Sequence, residues 1–512
     1  MNPSDLSRRD FIKLFGLASF LFLQKRSIVS NSRKEKPANQ MPNVLILVFD
    51  ALSARNMSLY GYPRQTTPNL ERFASRANVY HRHYAGGNFT TPGTASLLTG
   101  AYPWSHRAFQ MRDQTLKQFT EQNLFKLFED HYNTFAYTHN LRAYVLLHQF
   151  RQHIDQLLKI SALTLFDASL AERFVNSDYF IANESELLTL KSEYEAPASM
   201  FLSLFDQLQR QNLTNKYIQE YKDQYPRGVP DCRPGKASLQ CYKLEDAIEW
   251  LKSYLSTLTS PFFGYFHVLP PHNPYNPSKE FIGLFNDKWR PPEKPEHFFT
   301  ENNNQNKLNR MRRQYDEYIA YADAQFGLLY DFMDKTGILN DTYLIITSDH
   351  GEMFERGIIG HVNATLYEPI IHIPLLISSP GQSTRSDIYE PTSAVDLLPT
   401  LANITGNQPP SFSDGVLLPG QSGAISNPQR ALYVIEAKQN QKLGPIRKAT
   451  LAIIRGNHKL IYYRGYTGFD EIYELYDIKN DPEELMDKYS PKNPVAISLQ
   501  DELMSNLEPY NP

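Results

Sequence analysis

The chain has 512 residues, of which 41% are hydrophobic, and a formal net charge of −3, so it can bury a large core while lacking the basic surplus that nucleic acid would require of a main partner. Its two cysteines, Cys232 and Cys241, exclude a cysteine-rich metal site; they fit either one short disulfide loop in an oxidising compartment or two free thiols. The 32 Tyr and 30 Phe fit carbohydrate-stacking or lipid-facing surfaces and, equally, ordinary core packing.

The chain opens with Ser7-Arg8-Arg9-Asp10-Phe11-Ile12-Lys13 before an apolar run from Leu14 to Leu23 that is short for a membrane span. Residues 1–30 resemble a twin-arginine signal, which predicts export across the bacterial inner membrane to the periplasm or the extracytoplasmic membrane face. No Ala-x-Ala site follows, so an uncleaved segment would associate the protein with the membrane. Residues 31–42 form a polar linker, and Val44 to Phe49 reads as a strand buried on both faces and ending in Asp50. Asn88 to Gly100 places hydroxyl residues at a Pro92-Gly93 turn, with a helix expected to begin near Thr94 and to aim its unpaired N–H groups at an anionic ester docked on Thr90 and Thr91. Residues 142–260 read as a helical insertion, with Leu244, Ile248, Leu251 and Leu255 on one stripe. A strand from Pro261 leads to His272 between prolines. Ile319, Ala322, Phe326, Leu329 and Met333 form a second stripe, capped by Gly337, as expected of a helical crossover between parallel strands. The next strand, Tyr343 to Ser348, ends in Asp349-His350-Gly351-Glu352. Beyond Gly406, Pro and Gly increase, and residues 407–512 read as a small sheet-plus-helix subdomain.

These elements predict an α/β fold with a mostly parallel central sheet flanked by helices. In such sheets ligands sit at the carboxyl ends of strands, so Asp50 and the Asp349-His350 pair are expected to converge there although they are far apart in sequence. Two carboxylates and an imidazole suit one divalent metal ion. The donor set is Asp50, Thr90, Asp349 and His350. The imidazole favours Mn or Zn, with Ca or Mg as the alternatives. Coordination would activate the weak Thr90 nucleophile, and His272 and His361 would neutralise charge or protonate the leaving group.

Thr90-Thr91-Pro92-Gly93-Thr94-Ala95-Ser96-Leu97-Leu98-Thr99-Gly100 resembles the nucleophile motif of the sulfatase family in the alkaline phosphatase superfamily, Cys-x-Pro-Ser-Arg-Ala-Ser-Leu-Leu-Thr-Gly. Further resemblances follow in the family's order at Pro271-His272-Asn273-Pro274, Thr347-Ser348-Asp349-His350-Gly351-Glu352, Gly360-His361, Val395 to Leu401 and Glu474-Leu475-Tyr476-Asp477. The resemblance spans Asn43 to Lys488 and makes residues 43–406 the catalytic domain. It implies that His272 contacts substrate, that His361 is either a substrate contact or a metal ligand, and that His139 occupies the place of an active-site lysine. Thr90 stands where the family carries the cysteine oxidised to formylglycine, and Thr94 replaces the motif arginine. Threonine cannot undergo that oxidation, and in this the chain resembles threonine-nucleophile phosphotransferases. The expected function is hydrolysis or transfer of a phosphate or sulfate ester of an envelope or extracellular glycan or lipid through Thr90. The alternatives are a sulfohydrolase working without formylglycine and a catalytically silent glycan-binding homologue. The oligomeric state is left open.

Overall fold

Asn43–Phe49 (β1) is buried at every position, and its alternate side chains serve two different cores. Leu45, Leu47 and Phe49 join one cluster with the helices Leu244–Leu255 and Gln305–Lys335. Val44, Ile46 and Val48 join another with the helices Thr90–Thr99 and Leu397–Ile404. An unbroken apolar run is what a strand covered by helices on both faces requires. The computed structural model describes residues 41–111, 113–166, 198–238, 240–469 and 471–510. Residues 1–30, which resemble a twin-arginine signal, most of the expected linker at 31–42 and residues 167–197 of the expected helical insertion lie outside the described residues.

The other strands of the main sheet are Asn78–Tyr84 (β2), Asn133–Thr138 (β3), Gln156–Leu157 (β4), Phe262–Val268 (β5), Thr342–Thr347 (β6), His372–Ser378 (β9), Ser386–Ile388 (β10) and Thr392–Ser393 (β11). Between β6 and β9 lies a small hairpin of Phe354–Glu355 (β7) and Ile358–Ile359 (β8). The nine-stranded sheet runs β10-β2-β9-β6-β1-β5-β3-β4, with β11 also on β2. β1 lies parallel between β5 and β6, whereas β9 is antiparallel to both β6 and β2. The sheet is therefore mixed but mostly parallel. The 31-residue helix Gln305–Lys335 crosses from β5 to β6, burying Ile319, Ala322, Phe326, Leu329 and Met333, and ends before Gly337, whose φ of 76° admits glycine without strain.

A four-stranded antiparallel sheet follows, Leu432–Glu436 (β12), Ala449–Arg455 (β13), His458–Arg464 (β14) and Ile472–Asp477 (β15), with the helix Pro494–Leu507 beside it. Tyr102, Trp104 and Val395 share its hydrophobic core, and Met41–Pro512 forms one compact unit. Among the described residues no helix is long and apolar enough to cross a membrane.

The helix after Asn88 begins earlier than the sequence predicts. It spans Thr90–Thr99, with Phe89 as N-cap, and Pro92-Gly93 lies inside its first turn. Proline is tolerated there because the first-turn N–H groups have no partner within the helix. The Gly93 N–H donates to the Phe89 carbonyl (3.1 Å) and closes that turn. Glycine at 93 answers a steric need, since a Cβ there would lie 2.2 Å from the Asp349 carbonyl oxygen.

Candidate active site

The parallel pairing of β1 with β6 sets Asp50 and Asp349 side by side just beyond the strand ends. The Asp50 N–H donates to the Val268 carbonyl (3.0 Å), and the Ala51 N–H donates to Asp349 Oδ1 (3.2 Å). Ser348 Oγ donates to the Phe49 carbonyl (2.7 Å), tying the two strand ends together. Both carboxylates are buried, and with His267 they bring donor atoms within 4.8 Å of one another. Burial pushes Asp50 up, but His272, His267 and His350 outweigh it and hold the carboxyl well below the usual range. Burial and the Asp50 charge push Asp349 up. Among the described residues, Asp50 Oδ1 and Asp349 Oδ2 have no hydrogen-bond partner. Paired carboxylates with orphaned oxygens are costly unless a cation completes them, so the donor set fits a divalent ion.

His350 meets this pair from the same loop. Its Nδ1 lies 2.9 Å from the Gly351 carbonyl, which only accepts, so Nδ1 carries the proton and Nε2 offers a lone pair. That Nε2 is 3.3 Å from Thr90 Oγ1, 3.5 Å from Asp50 Oδ1 and 3.6 Å from Asp349 Oδ2. Burial pushes His350 down, keeping the ring neutral. The structure thus brings the four predicted donors, Asp50, Thr90, Asp349 and His350, into one buried cluster. Thr91 is separate: its Oγ1 donates to the Met111 carbonyl (3.0 Å), away from the carboxylates.

His272 and His361 stand over the cluster with the same tautomer logic. His272 Nδ1 is 2.7 Å from the Asn273 carbonyl, and His361 Nδ1 is 3.1 Å from Glu352 Oε1. The His361 ring centroid lies 4.2 Å from that of His350 and 5.1 Å from that of His272. Burial lowers both, His361 to about 4. Burial also pushes Glu352 up to about 7, against the pull of His272 and His350.

His139 is buried next to this region, but its ring stacks on Tyr242 at 3.9 Å. The neighbouring Asn140 enters the site instead. Its Oδ1 caps the helix Leu141–Gln149 by accepting from the Arg142 N–H (2.9 Å). Its Nδ2 donates to Asp50 Oδ2 and, at 3.1 Å, to Thr90 Oγ1. His267 is the second residue the sequence reading did not single out: its Nε2 lies 3.2 Å from Asp50 Oδ2 and 3.8 Å from Asp349 Oδ2. Burial pushes His267 down, yet the two carboxylates raise it overall. A histidine one residue before the end of an otherwise apolar strand was the available signal for His267; Asn140 signalled only a helix cap.

Cys232 and Cys241 are joined in a disulfide. The loop they close touches both sides of the site. Gln240 donates to the His139 carbonyl, and Asn276, four residues beyond His272, donates to the Cys232 carbonyl (3.1 Å).

Comparison with known proteins points the same way as the geometry. A model of the sulfatase family matches residues 42–407, and one of the C-terminal part of N-sulphoglucosamine sulphohydrolase matches residues 361–511. N-acetylgalactosamine-6-sulfatase of Homo sapiens is 22% identical over 392 residues, a match covering 73% of this chain and 64% of that protein, less than two thirds of its length. Choline-sulfatase of Rhizobium meliloti is 24% identical over 487 residues, covering 89% of this chain and 84% of the relative. The solved phosphonate monoester hydrolase of Agrobacterium radiobacter superposes with a TM-score of 0.63 at 18% identity, over 92% of this chain and 96% of that one. A structure in complex with its substrate D-glucosamine-2-N,6-O-disulfate superposes with a TM-score of 0.62 at 18% identity, over 92% and 97% of the two chains.

Proposed function

Because this chain belongs to the sulfatase family, whose model matches residues 42–407, we propose that it hydrolyses or transfers a phosphate or sulfate ester through a covalent intermediate on Thr90. The observation that carries this reading is the position of Thr90 Oγ1, at the first residue of a helix and 3.3 Å from His350 Nε2, beside the Asp50–Asp349 pair. A divalent ion held by Asp50, Asp349, His350 and Thr90 would neutralise the paired carboxylates and lower the pKa of the Thr90 hydroxyl. Manganese or zinc is favoured by the imidazole donor, with calcium or magnesium as the alternatives.

The residues of the chain then divide the work. Asn140 Nδ2 holds Thr90 Oγ1 in place and stabilises the alkoxide formed when the hydroxyl proton passes to solvent. Oγ1 forms the new bond to phosphorus or sulfur as the bond to the leaving oxygen breaks. An anionic ester arriving beside His272 and His361 raises their proton affinity, so that an Nε2–H is available to the leaving oxygen. Water or an acceptor alcohol then attacks the Thr90 ester and releases the group. Relatives named for sulfated sugars and for choline sulfate, and a neighbour named for phosphonate monoesters, support a charged ester as substrate. Together with Arg8-Arg9 before the apolar run, they support an exported enzyme acting on an envelope or extracellular glycan or lipid.

The test is trapping. Protein quenched during turnover of 4-nitrophenyl phosphate or 4-nitrophenyl sulfate should carry the adduct on Thr90 by mass spectrometry. Thr90→Ala should lose on the order of 10⁴-fold or more in rate, as for other catalytic nucleophiles. An adduct on Thr91, or full activity in Thr90→Ala, would overturn the mechanism.

A further inference from the structure

Beside the His272 loop lies a cavity of ≈ 570 Å³, lined by Arg227, Arg233, Asn273, Tyr275, Gln314 and Ile359 among others. Asn273 directly follows His272, and Ile359 lies two residues before His361, so one wall of the cavity is continuous with the loops that carry both imidazoles. Two guanidinium groups face it. Arg233 Nη2 donates to Asn273 Oδ1 (2.8 Å), and Arg227 Nη1 pairs with the buried Glu317 Oε2 at 2.5 Å. A guanidinium has five N–H donors in a planar fork, so these contacts orient each group and leave donors for a planar or tetrahedral anion.

Arg233 is held by more than its own hydrogen bond. It follows Cys232 in the disulfide loop, its N–H donates to Ser238 Oγ (2.9 Å), and Asn276 Nδ2 grips the Cys232 carbonyl at 3.1 Å. The exposed side chain is therefore carried on a pinned backbone beside the His272 loop. Burial pushes the neighbouring Asp231 carboxyl up to about 7, so it offsets the Arg233 charge only in part near neutral pH.

We propose that this cavity is a subsite for a second anionic group of the substrate, a sulfate, carboxylate or phosphate borne on the same sugar or headgroup as the ester that Thr90 attacks. The subsite rests on the proposed function. It makes the preferred substrates polyanionic, with Arg233 as the specificity-determining residue and Arg227 as its partner.

Calorimetric titration of the purified full chain with glucosamine-2-N,6-O-disulfate and with each of its two monosulfates tests the idea, with hydrolysis followed in the same samples. Wild type should bind the disulfate about tenfold or more tightly than either monosulfate, as expected for one charge-assisted bidentate contact. Arg233→Ala should bring that ratio close to one, and Arg233→Lys should restore it in part. Arg233 is the residue to change, because removing Arg227 would leave Glu317 buried and unpaired. A ratio near one in wild type, or a ratio undiminished in Arg233→Ala, overturns the subsite whether or not hydrolysis is seen. Hydrolysis with a ratio of one leaves the Thr90 reading standing alone. An intact, Arg233-dependent ratio without hydrolysis of any of these sulfates or of 4-nitrophenyl phosphate supports the subsite and counts against the catalytic reading.

Discussion

Two buried clusters of charge in this molecule look alike by composition and differ in how they are completed. At the back of the C-terminal sheet, the fully buried Lys459 Nζ lies 3.0 Å from Glu368 Oε1, pairs with Glu484 and donates to the Leu366 carbonyl (3.2 Å). Glu484 Oε2 in turn accepts from the Glu368 N–H (2.9 Å). One ammonium thus joins two carboxylates through the protein's own atoms, and the network ties β14 to the loops before β9 and after β15. At the ends of β1 and β6, by contrast, Asp50 and Asp349 face each other with imidazoles around them and an oxygen of each left without a hydrogen bond among the described residues. Carboxylates bridged by a lysine ammonium make a structural joint. Unsatisfied charge at a strand end marks a place that a ligand completes.

The comparison is broken most sharply at Asp349. Elemental analysis of native protein should find one divalent ion per chain, and Asp349→Ala should lose it together with turnover; equal metal in both would remove the distinction between the two clusters. Lys459→Met should act in the opposite sense, leaving metal content intact while stranding two buried carboxylates at a stability cost of about 3–5 kcal/mol. Chemical denaturation of that variant against wild type measures the cost, and a change below about 1 kcal/mol would contradict the role of Lys459 as a joint.

Gly93→Ala probes the spacing between the two sides of the site. A Cβ 2.2 Å from the Asp349 carbonyl oxygen must push the Thr90 helix away from β6, and a displacement near 1 Å should lower kcat about a hundredfold with the fold retained. Wild-type kcat in this variant would mean that the helix and strand need not be so close. The smallest effect concerns two buried histidines that are not part of the carboxylate cluster. His106 and His297 are both pushed down to about 3 by burial, and each accepts a backbone N–H on Nδ1, from Ala108 and Phe299 respectively (both 3.0 Å). Below the ordinary histidine pKa near 6.5 the unfolded chain takes up protons that the folded chain refuses. Their contribution is therefore fully present above pH 6.5 and falls as pH drops toward 3, by about 1.4 kcal/mol per pH unit for each ring. Thermal midpoints between pH 7 and 5 should decline, less steeply in His106→Gln than in wild type. Equal slopes would show that His106 is not one of the groups responsible.

Strands were the most legible elements, because a six-residue apolar run such as Val44 to Phe49 has few other uses and its terminal acid breaks the pattern. The two helical stripes were legible for a similar reason, since Leu244, Ile248, Leu251 and Leu255 all face the core as their spacing requires. Pro92-Gly93 has the composition of a turn and so predicts a helix start later than the observed Thr90, whereas Gly93 is there for its contact with Asp349, a residue far away in sequence. His139 and Asn140 could not be told apart in the sequence. The end of β3 delivers both to the same region, and only packing against Tyr242 turns the imidazole to one side while the amide reaches Thr90.

By itself the sequence determined the strand-end acids, the hydroxyl at position 90 and the order of the motifs, since these depend on local hydrophobic periodicity and on residue types that chemistry restricts. Tertiary structure alone decided that His267 shares the carboxylate pair, that Asn140 bridges Asp50 and Thr90, and that the Cys232–Cys241 loop lies against the His272 loop. The reason is geometric. In a parallel sheet, neighbouring strands come from distant parts of the chain, so which side chains meet at their carboxyl ends is fixed by strand order and register, here β6-β1-β5-β3, and no local pattern encodes that order.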